Sequence, residues 1–399
     1  MKNLNNFNAI RRNVLLRVDL NVPVQDGVIL DKTRIFAIKA TVDRLRKGNN
    51  KIFLLTHFGR PEGKYNKNFS VKFLIRILKD TLFLDKIFFA TSCIGDEIQD
   101  IKIKMQPGDV CLLENVRFNL GENLNDILFS KKLSDPFDIF VNDAFSASHR
   151  NHSSIVGIPN HLPSLAGIDL IKEINNLNKF FSNPKKPVSA IIGGAKVSTK
   201  LKLLNHLVEN LNTIIIGGAM ANTFLLAKGI AVGKSLVEED LVAEANHILN
   251  KAINFNTNIA LPIDVVCSNG IGDKENVKVM AINKIHANQM ILDIGKQTIK
   301  HIKFTLKKSK TILWNGPLGA FEYKPFDYGT NKIVEIIKND VQKLKITTIA
   351  GGGDTIAAIK KNKAEEYFNY ISNAGGAFLE WLEKKELPGT RALKRNKLT

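Results

Sequence analysis

The chain has 399 residues, 44% hydrophobic and 24% charged, with a formal net charge of +19. Single cores rarely grow much past about 250–300 residues, so two domains are expected, and no stretch reaches the ~18 consecutive apolar residues of a membrane helix. The start, Met1-Lys2-Asn3-Leu4-Asn5-Asn6, lacks the layout of a signal peptide, and three dispersed cysteines (Cys93, Cys111, Cys267) exclude a metal knuckle or redox pair and point to the cytoplasm.

The positive charge admits a nucleic-acid partner or anionic substrates. It also fits compositional drift, because the lysines are scattered rather than gathered into a stripe or tail. The arginines say more. Of twelve, ten lie in the first 150 residues and the other two are Arg391 and Arg395. Where Lys is the general-purpose cation, a retained Arg hints at the planar, bidentate guanidinium that suits phosphate and carboxylate. Arg11, Arg12, Arg44 and Arg46 read as surface residues. The first half is therefore where a small anion would be gripped.

Along the chain, strand-like apolar runs at 14–18, 51–55, 86–90, 110–113 and 139–141 alternate with helical periodicity. The clearest helical stretches are 33–47, stopped by Gly48, and 71–82, capped by Ser70. After the first run comes Arg17-Val18-Asp19-Leu20-Asn21-Val22-Pro23, which reads equally as an Asx turn or a hydroxyl-binding pair. After the second comes Thr56-His57-Phe58-Gly59-Arg60-Pro61, and after the fourth Glu114-Asn115-Val116-Arg117-Phe118. The fifth leads into Asn142-Asp143-Ala144-Phe145-Ser146-Ala147-Ser148-His149-Arg150-Asn151-His152. Each piece is weak alone, and a lone His is more often structural than catalytic. Together they place an Arg beyond three strand ends, with Arg34 opening the helix after the first. This is a basic pocket for a small phosphorylated, hydroxylated acid. His149 and His152 lack a Cys or third His to complete a metal site.

A helical segment over 169–181 would connect the halves, as a hinge or a plain linker. The pattern restarts after Asn183-Pro184-Lys185-Lys186-Pro187, with runs at 188–192, 213–216, 311–314 and 347–350. Strands alternating with helices mean βαβ units and parallel sheets, whose ligands bind beyond the carboxyl ends of the strands. There stand Gly193-Gly194-Ala195-Lys196-Val197-Ser198-Thr199-Lys200, Trp314-Asn315-Gly316-Pro317-Leu318-Gly319-Ala320-Phe321-Glu322 and Gly351-Gly352-Gly353-Asp354-Thr355. Ser372-Asn373-Ala374-Gly375-Gly376 opens one more helix. Glycines let backbone approach phosphate oxygens, and helix N-termini offer free N–H groups. Lys196 and Lys200, four apart, would share a helical face, as a phosphate grip or as a solvated surface. Asp354 and Thr355 suit phosphate with Mg²⁺. Neither G-x-x-x-x-G-K-[ST] nor G-x-G-x-x-G occurs.

In order and over essentially the whole chain, these segments, with Asp31-Lys32-Thr33-Arg34-Ile35 and Leu387-Pro388-Gly389, resemble the phosphoglycerate kinase family. The resemblance implies two Rossmann-like α/β domains: residues 1–168 for 3-phosphoglycerate, a hinge helix over 169–182, residues 183–376 for nucleotide, and residues 377–399 returning to the first domain. It implies ATP:3-phospho-D-glycerate 1-phosphotransferase activity with Mg²⁺ and ATP or ADP, in a cytoplasmic monomer. It assigns Asp19, Leu20, Asn21, Arg34, His57, Phe58, Gly59, Arg60, Arg117 and Arg150 to the acid. To the nucleotide it assigns Gly193, Lys196, Lys200, Gly217, Gly218, Leu292, Asn315, Pro317, Glu322, Gly351, Gly352, Gly353, Asp354 and Thr355. Arg34, Lys200, Gly352 and Gly375 would act in transfer, and Asp354 would hold the metal. Asn373 and Ala374 stand where many members have Thr and Gly, and Ala219 where Gly is common. A nucleic-acid-binding protein and a catalytically idle scaffold are the competing readings.

Overall fold

A computed structural model describes residues 1–181, 183–383 and 385–396. One unit holds Met1–Asn178 with the described residues from Lys385 onward, and the other begins at Lys179. Ser182, Lys384 and residues 397–399, which fall within the expected domain spans, lie outside the described residues.

In the first unit the strands are β1 (Asn13–Arg17), β2 (Val24–Gln25), β3 (Val28–Ile29), β4 (Lys51–Leu55), β5 (Phe88–Ala90), β6 (Val110–Leu113), β7 (Ile139–Asn142) and β8 (Ser164–Ala166). β2 and β3 make a small antiparallel ribbon. The other six form a sheet ordered β5-β6-β4-β1-β7-β8, parallel throughout. Apolar residues on both faces make this possible. Val14, Leu16, Ile52 and Leu54 enter one core cluster, while Leu15, Phe53 and Leu55 enter another. Register then aligns the loops: Arg17 sits opposite both Leu55 and Asn142, so the segments beginning at Val18, Thr56 and Asp143 leave one edge together.

The second unit contains β9 (Val188–Ile192), β10 (Thr213–Ile216), β11 (Asn258–Ala260), β12 (Asp264–Ser268), β13 (Lys278–Ala281), β14 (Met290–Ile294), β15 (Thr311–Asn315), β16 (Thr347–Gly351) and β17 (Tyr370–Ser372). Its parallel sheet is ordered β11-β10-β9-β15-β16-β17. β9 lies between β10 and β15, so its outgoing loop opens where the strand order reverses, a place that favours ligands. A separate antiparallel sheet, β13-β12-β14, stands beside it. The helix Gly376–Leu382 belongs to this unit. The helix Pro388–Arg395 belongs to the first, where Gly389 N–H donates to Ser148 O at 2.8 Å.

Several local expectations change. The stretch 33–47 is two helices, Thr33–Ala37 and Lys39–Lys47, interrupted at Ile38. Ser70 does not cap the next helix, which begins at Leu74; its hydroxyl donates to Glu114 Oε2 at 2.7 Å instead. Arg44 and Arg46 are fasteners rather than idle surface residues, because Arg46 donates to Gly108 O and Leu82 O and Arg44 to Leu4 O and Asn8 Oδ1.

Candidate functional sites in the two units

In the first unit the strand-end loops lace together. Asn21 Oδ1 accepts from Gly59 N–H at 3.0 Å, and Leu20 N–H donates to Thr56 Oγ1 at 3.1 Å. Arg34 reaches Asp19 at 3.0 Å and the Asn21 carbonyl at 2.7 Å. The hydroxyl of Ser146 donates to the same Asp19 oxygen, Oδ2. Asn115 clasps Phe58 from both sides, accepting from its N–H and donating to its carbonyl. Arg117 donates to Gly59 O at 2.8 Å. Burial, with Arg17 nearby, pushes Arg117 down to about 10, and its Nε is buried without a partner among the described residues. Arg60 and Arg150 are exposed on the same basic surface.

Beneath these lies Arg17, the last residue of β1, which in the sequence reads only as a strand end. It is 1% exposed. Its Nε donates to Ser154 Oγ at 2.9 Å, one terminal nitrogen donates to Val18 O at 2.5 Å, and the other lies 3.1 Å from His57 Nδ1. A guanidinium can only donate, so Nδ1 must accept and the proton sits on Nε2. Burial first, then Arg17, Arg117 and Arg34, hold His57 well below its ordinary pKa and hence neutral. The Ser154 hydroxyl in turn donates to Glu122 Oε1 at 2.6 Å, so a fully buried carboxylate balances Arg17 through one hydroxyl. Glu122 lies outside the segments singled out from the sequence, and Ser154, two residues past His152, is assigned no role there.

In the second unit the loops after β9, β10, β15 and β16 converge. Lys200 is 9% exposed. Its ammonium donates to Gly193 O at 2.6 Å, Asn315 O at 3.0 Å and Asn315 Oδ1 at 2.6 Å. Burial pushes it down to about 8, opposed by Asp354. Asn315 Nδ2 donates to Gly351 O at 2.7 Å, and Thr355 Oγ1 accepts from Gly316 N–H at 2.6 Å. A side chain is impossible at Gly316. Its φ is +100°, and a Cβ would lie 2.2 Å from Gly193 O and 2.8 Å from Lys200 Nζ. Gly352, with φ +96°, turns the chain into the helix Gly353–Lys361, whose first turn presents the exposed Asp354.

Lys196 and Lys200 do not share a helical face. The helix begins at Leu201, and residues 193–200 form a loop turned by Gly194 at φ +122°. Lys196 is exposed while Lys200 is buried.

A cavity of about 290 Å³ opens over this floor. Of the residues named from sequence, Gly218, Leu292, Pro317, Glu322 and Asp354 line it. Gly193, Lys200, Asn315, Gly351 and Thr355 form the hydrogen-bonded layer described above, and Gly217 packs against Leu318, which lines the cavity. Lys196, Gly353 and Gly375 do not line it. Sequence reading missed its apolar end, built by Leu236, Val265, Met290 and Ile291. Most of that wall comes from β12 and β14, which were not expected. Among the described residues no group of three or more His, Cys, Asp or Glu is placed to hold a metal ion.

A family model described as phosphoglycerate kinase matches residues 4–385. Phosphoglycerate kinase of Agrobacterium fabrum is 44% identical over 393 residues, covering 98% of each chain. That of Orientia tsutsugamushi (strain Boryong) is 45% identical over 383 residues, covering 95% of this chain and 94% of its own. The structure of phosphoglycerate kinase from Coxiella burnetii superposes with a TM-score of 0.87 at 37% identity, covering 98% of this chain and 99% of the other. The enzyme from Pyrococcus horikoshii gives 0.84 at 30% identity, covering 99% and 98%.

Proposed function

The chain belongs to the phosphoglycerate kinase family, and on that premise we propose how its residues divide the reaction. It is a glycolytic phosphotransferase, so the chemistry is reversible transfer of the acyl phosphate of 1,3-bisphosphoglycerate to ADP, giving ATP and 3-phosphoglycerate. The nucleic-acid and idle-scaffold readings are not favoured.

The reaction asks for little acid–base work. The acceptor is anionic in both directions, either the terminal phosphate of ADP or the carboxylate of 3-phosphoglycerate, so no general base is needed. It asks for in-line positioning and neutralisation of charge on the moving group. In our reading the acid binds over Asp19, Asn21, His57, Arg60, Arg117 and Arg150. The orphan Arg117 Nε supports an anion there, and the neutral His57 offers an Nε2–H to an oxygen. Arg34, anchored on Asp19, would face the phosphoryl group.

The observation that carries the nucleotide half is a buried ammonium, Lys200, behind the Gly194 turn that lines a cavity with an apolar end. The base and ribose would lie against Leu292, Pro317 and Glu322, with the phosphates toward Lys200 and the N-terminus of the helix Gly353–Lys361. Asp354 is an exposed carboxylate that lines the cavity at the start of the helix Gly353–Lys361. That suits Mg²⁺, which keeps most of its shell as water and phosphate oxygen and takes one or two protein carboxylates. When bound, the ion would neutralise phosphate charge. Lys196 would add a second cation from its exposed loop.

Transfer requires the two ligands to meet, so the proposal includes domain closure about the helix Ile168–Phe181. Indistinguishable small-angle scattering with both ligands and with none would count against it. A cytoplasmic monomer belongs to the same reading, checked by light scattering. Among the described residues no helix is long and apolar enough to cross a membrane.

The direct test is ATP-dependent phosphorylation of 3-phosphoglycerate in an NADH-coupled assay, with Arg34→Ala and Lys200→Ala alongside. Activity that falls by orders of magnitude in both variants supports the assignment. A folded but inactive wild type would sink it.

A further inference from the structure

Apart from the Lys200 ammonium on Asn315 and the buried Val197 side chain, the turn that carries Lys196 and Lys200 makes few bonds to other elements. Thr199 Oγ1 donates to Lys196 O at 2.8 Å, and Lys200 N–H to Val197 O at 2.8 Å. Among the described hydrogen bonds, residues 195–199 reach another element only at one carboxylate. Glu238 Oε2 accepts from Ser198 N–H at 3.0 Å and Oε1 from Ser198 Oγ at 2.5 Å. The carboxylate thus grips both donors of the residue midway between the two lysines.

Glu238 ends a short strap, 234–238, that is itself fastened at four of its five positions. Lys234 N–H donates to Gln289 O at 2.9 Å, and Ser235 Oγ accepts from Ile291 N–H at 2.8 Å. Buried Asn222 donates to Leu236 O at 2.9 Å, and buried Thr223 accepts from Glu238 N–H at 3.2 Å. Leu236 and Ile291 line the apolar end of the cavity. A continuous run of bonds therefore joins the wall of the base end to the turn at the phosphate end.

We propose that Glu238 is a positioning residue for the Lys196–Lys200 turn, fixing the phosphate grip relative to the base-binding wall through the strap 234–238. The inference rests on the nucleotide reading of this cavity and adds a residue that touches no ligand. Burial works against the charge on Glu238, but the Ser198 bonds outweigh it and keep the carboxyl below its usual range, so it is ionised at neutral pH. Two hydrogen bonds to a charged acceptor at a half-exposed position are a modest restraint. Their loss lets the turn sample other positions, which weakens binding without abolishing it.

The distinguishing probe is a ligand with and without phosphates. MgADP and adenosine affinities are measured by calorimetry, adenosine by competition, for wild type, Glu238→Gln and Glu238→Ala. Each protein's thermal melt and KM for 3-phosphoglycerate are followed as well. Glu238→Ala is expected to weaken MgADP roughly fivefold to tenfold and leave adenosine within twofold. Glu238→Gln, which keeps one acceptor, should fall between. The KM for 3-phosphoglycerate should not move. Unchanged MgADP affinity in Glu238→Ala would overturn the proposal, and so would a parallel loss for adenosine. A wild type that binds no MgADP would instead sink the nucleotide reading beneath it.

Discussion

Lys200 gives the sharpest test of the nucleotide site, because its proton is poised to report the ligand. Burial lowers its pKa from 10.5 to about 8 in the free protein. Only neutral acceptors surround it directly: the Gly193 and Asn315 carbonyls and the Asn315 side-chain oxygen. Phosphate oxygens arriving beside an ammonium favour the charged form and raise its pKa again. At pH 8 about half of the free protein carries a neutral Lys200. Binding MgADP should then take up about half a proton per site, and almost none at pH 6.5. The sign follows from which state holds more protons. Between pH 8 and the bound pKa the complex does, so affinity must fall as pH rises, approaching tenfold per pH unit. Folding of the free protein shows the opposite trend. There the unfolded chain holds more protons between pH 8 and 10.5, so Lys200's burden on stability is present below pH 8 and relieved above it. The assay is MgADP titration at pH 8 in two buffers of different ionisation enthalpy, with Lys200→Met as control. Identical enthalpies in both buffers would refute the reasoning, as would uptake that persists in Lys200→Met.

Two further outcomes follow from the first unit. Glu122→Ala removes the fully buried carboxylate that balances Arg17 through Ser154, and should cost about 3 kcal/mol of stability by stranding a buried cation. Both tryptophans, Trp314 and Trp381, lie in the second unit, so urea unfolding should be followed by far-UV circular dichroism; an unmoved midpoint would show that Arg17 has another counterweight. Burial, then Arg150, depresses His149 from 6.5 to about 4. The unfolded chain therefore binds more protons in that window, and stability should fall as pH drops from 6.5 toward 4. Thermal melts across that range should show a shallower slope for His149→Asn, and an identical slope would exclude His149 as a contributor.

The sequence exposed those parts of the fold whose signal is local. β9, with all five residues buried, could only be a strand covered on both faces, and the glycines after it only a tight exit. The apolar end of the cavity was hidden because β12 and β14 lie in a stretch whose alternation is interrupted; their register itself shifts between Val266 and Cys267. The false helical face for Lys196 and Lys200 has the same kind of cause. Spacing of four implies a shared face only inside a helix, and Gly194 keeps the chain out of one until Leu201. Arg17 escaped because burial, not neighbours in sequence, gives a strand-end cation its role.

That last point alters what the net charge of +19 means. Most of it is exposed lysine, screened beyond about 10 Å at ordinary ionic strength and without a preferred ligand. The two cations that distinguish this surface from any other basic one are Arg17 and Lys200, each at least nine-tenths buried at the carboxyl edge of a parallel sheet. Both hold backbone carbonyls as partners, Val18 for one and Gly193 with Asn315 for the other. Carbonyls satisfy a buried cation without cancelling its charge. Arg17, after burial, helps keep His57 neutral, and under the proposed reading Lys200 would keep its field for an anion entering the cavity. High salt should therefore weaken nonspecific binding of polyanions far more than binding of MgADP, because only the second interaction takes place where ions cannot follow.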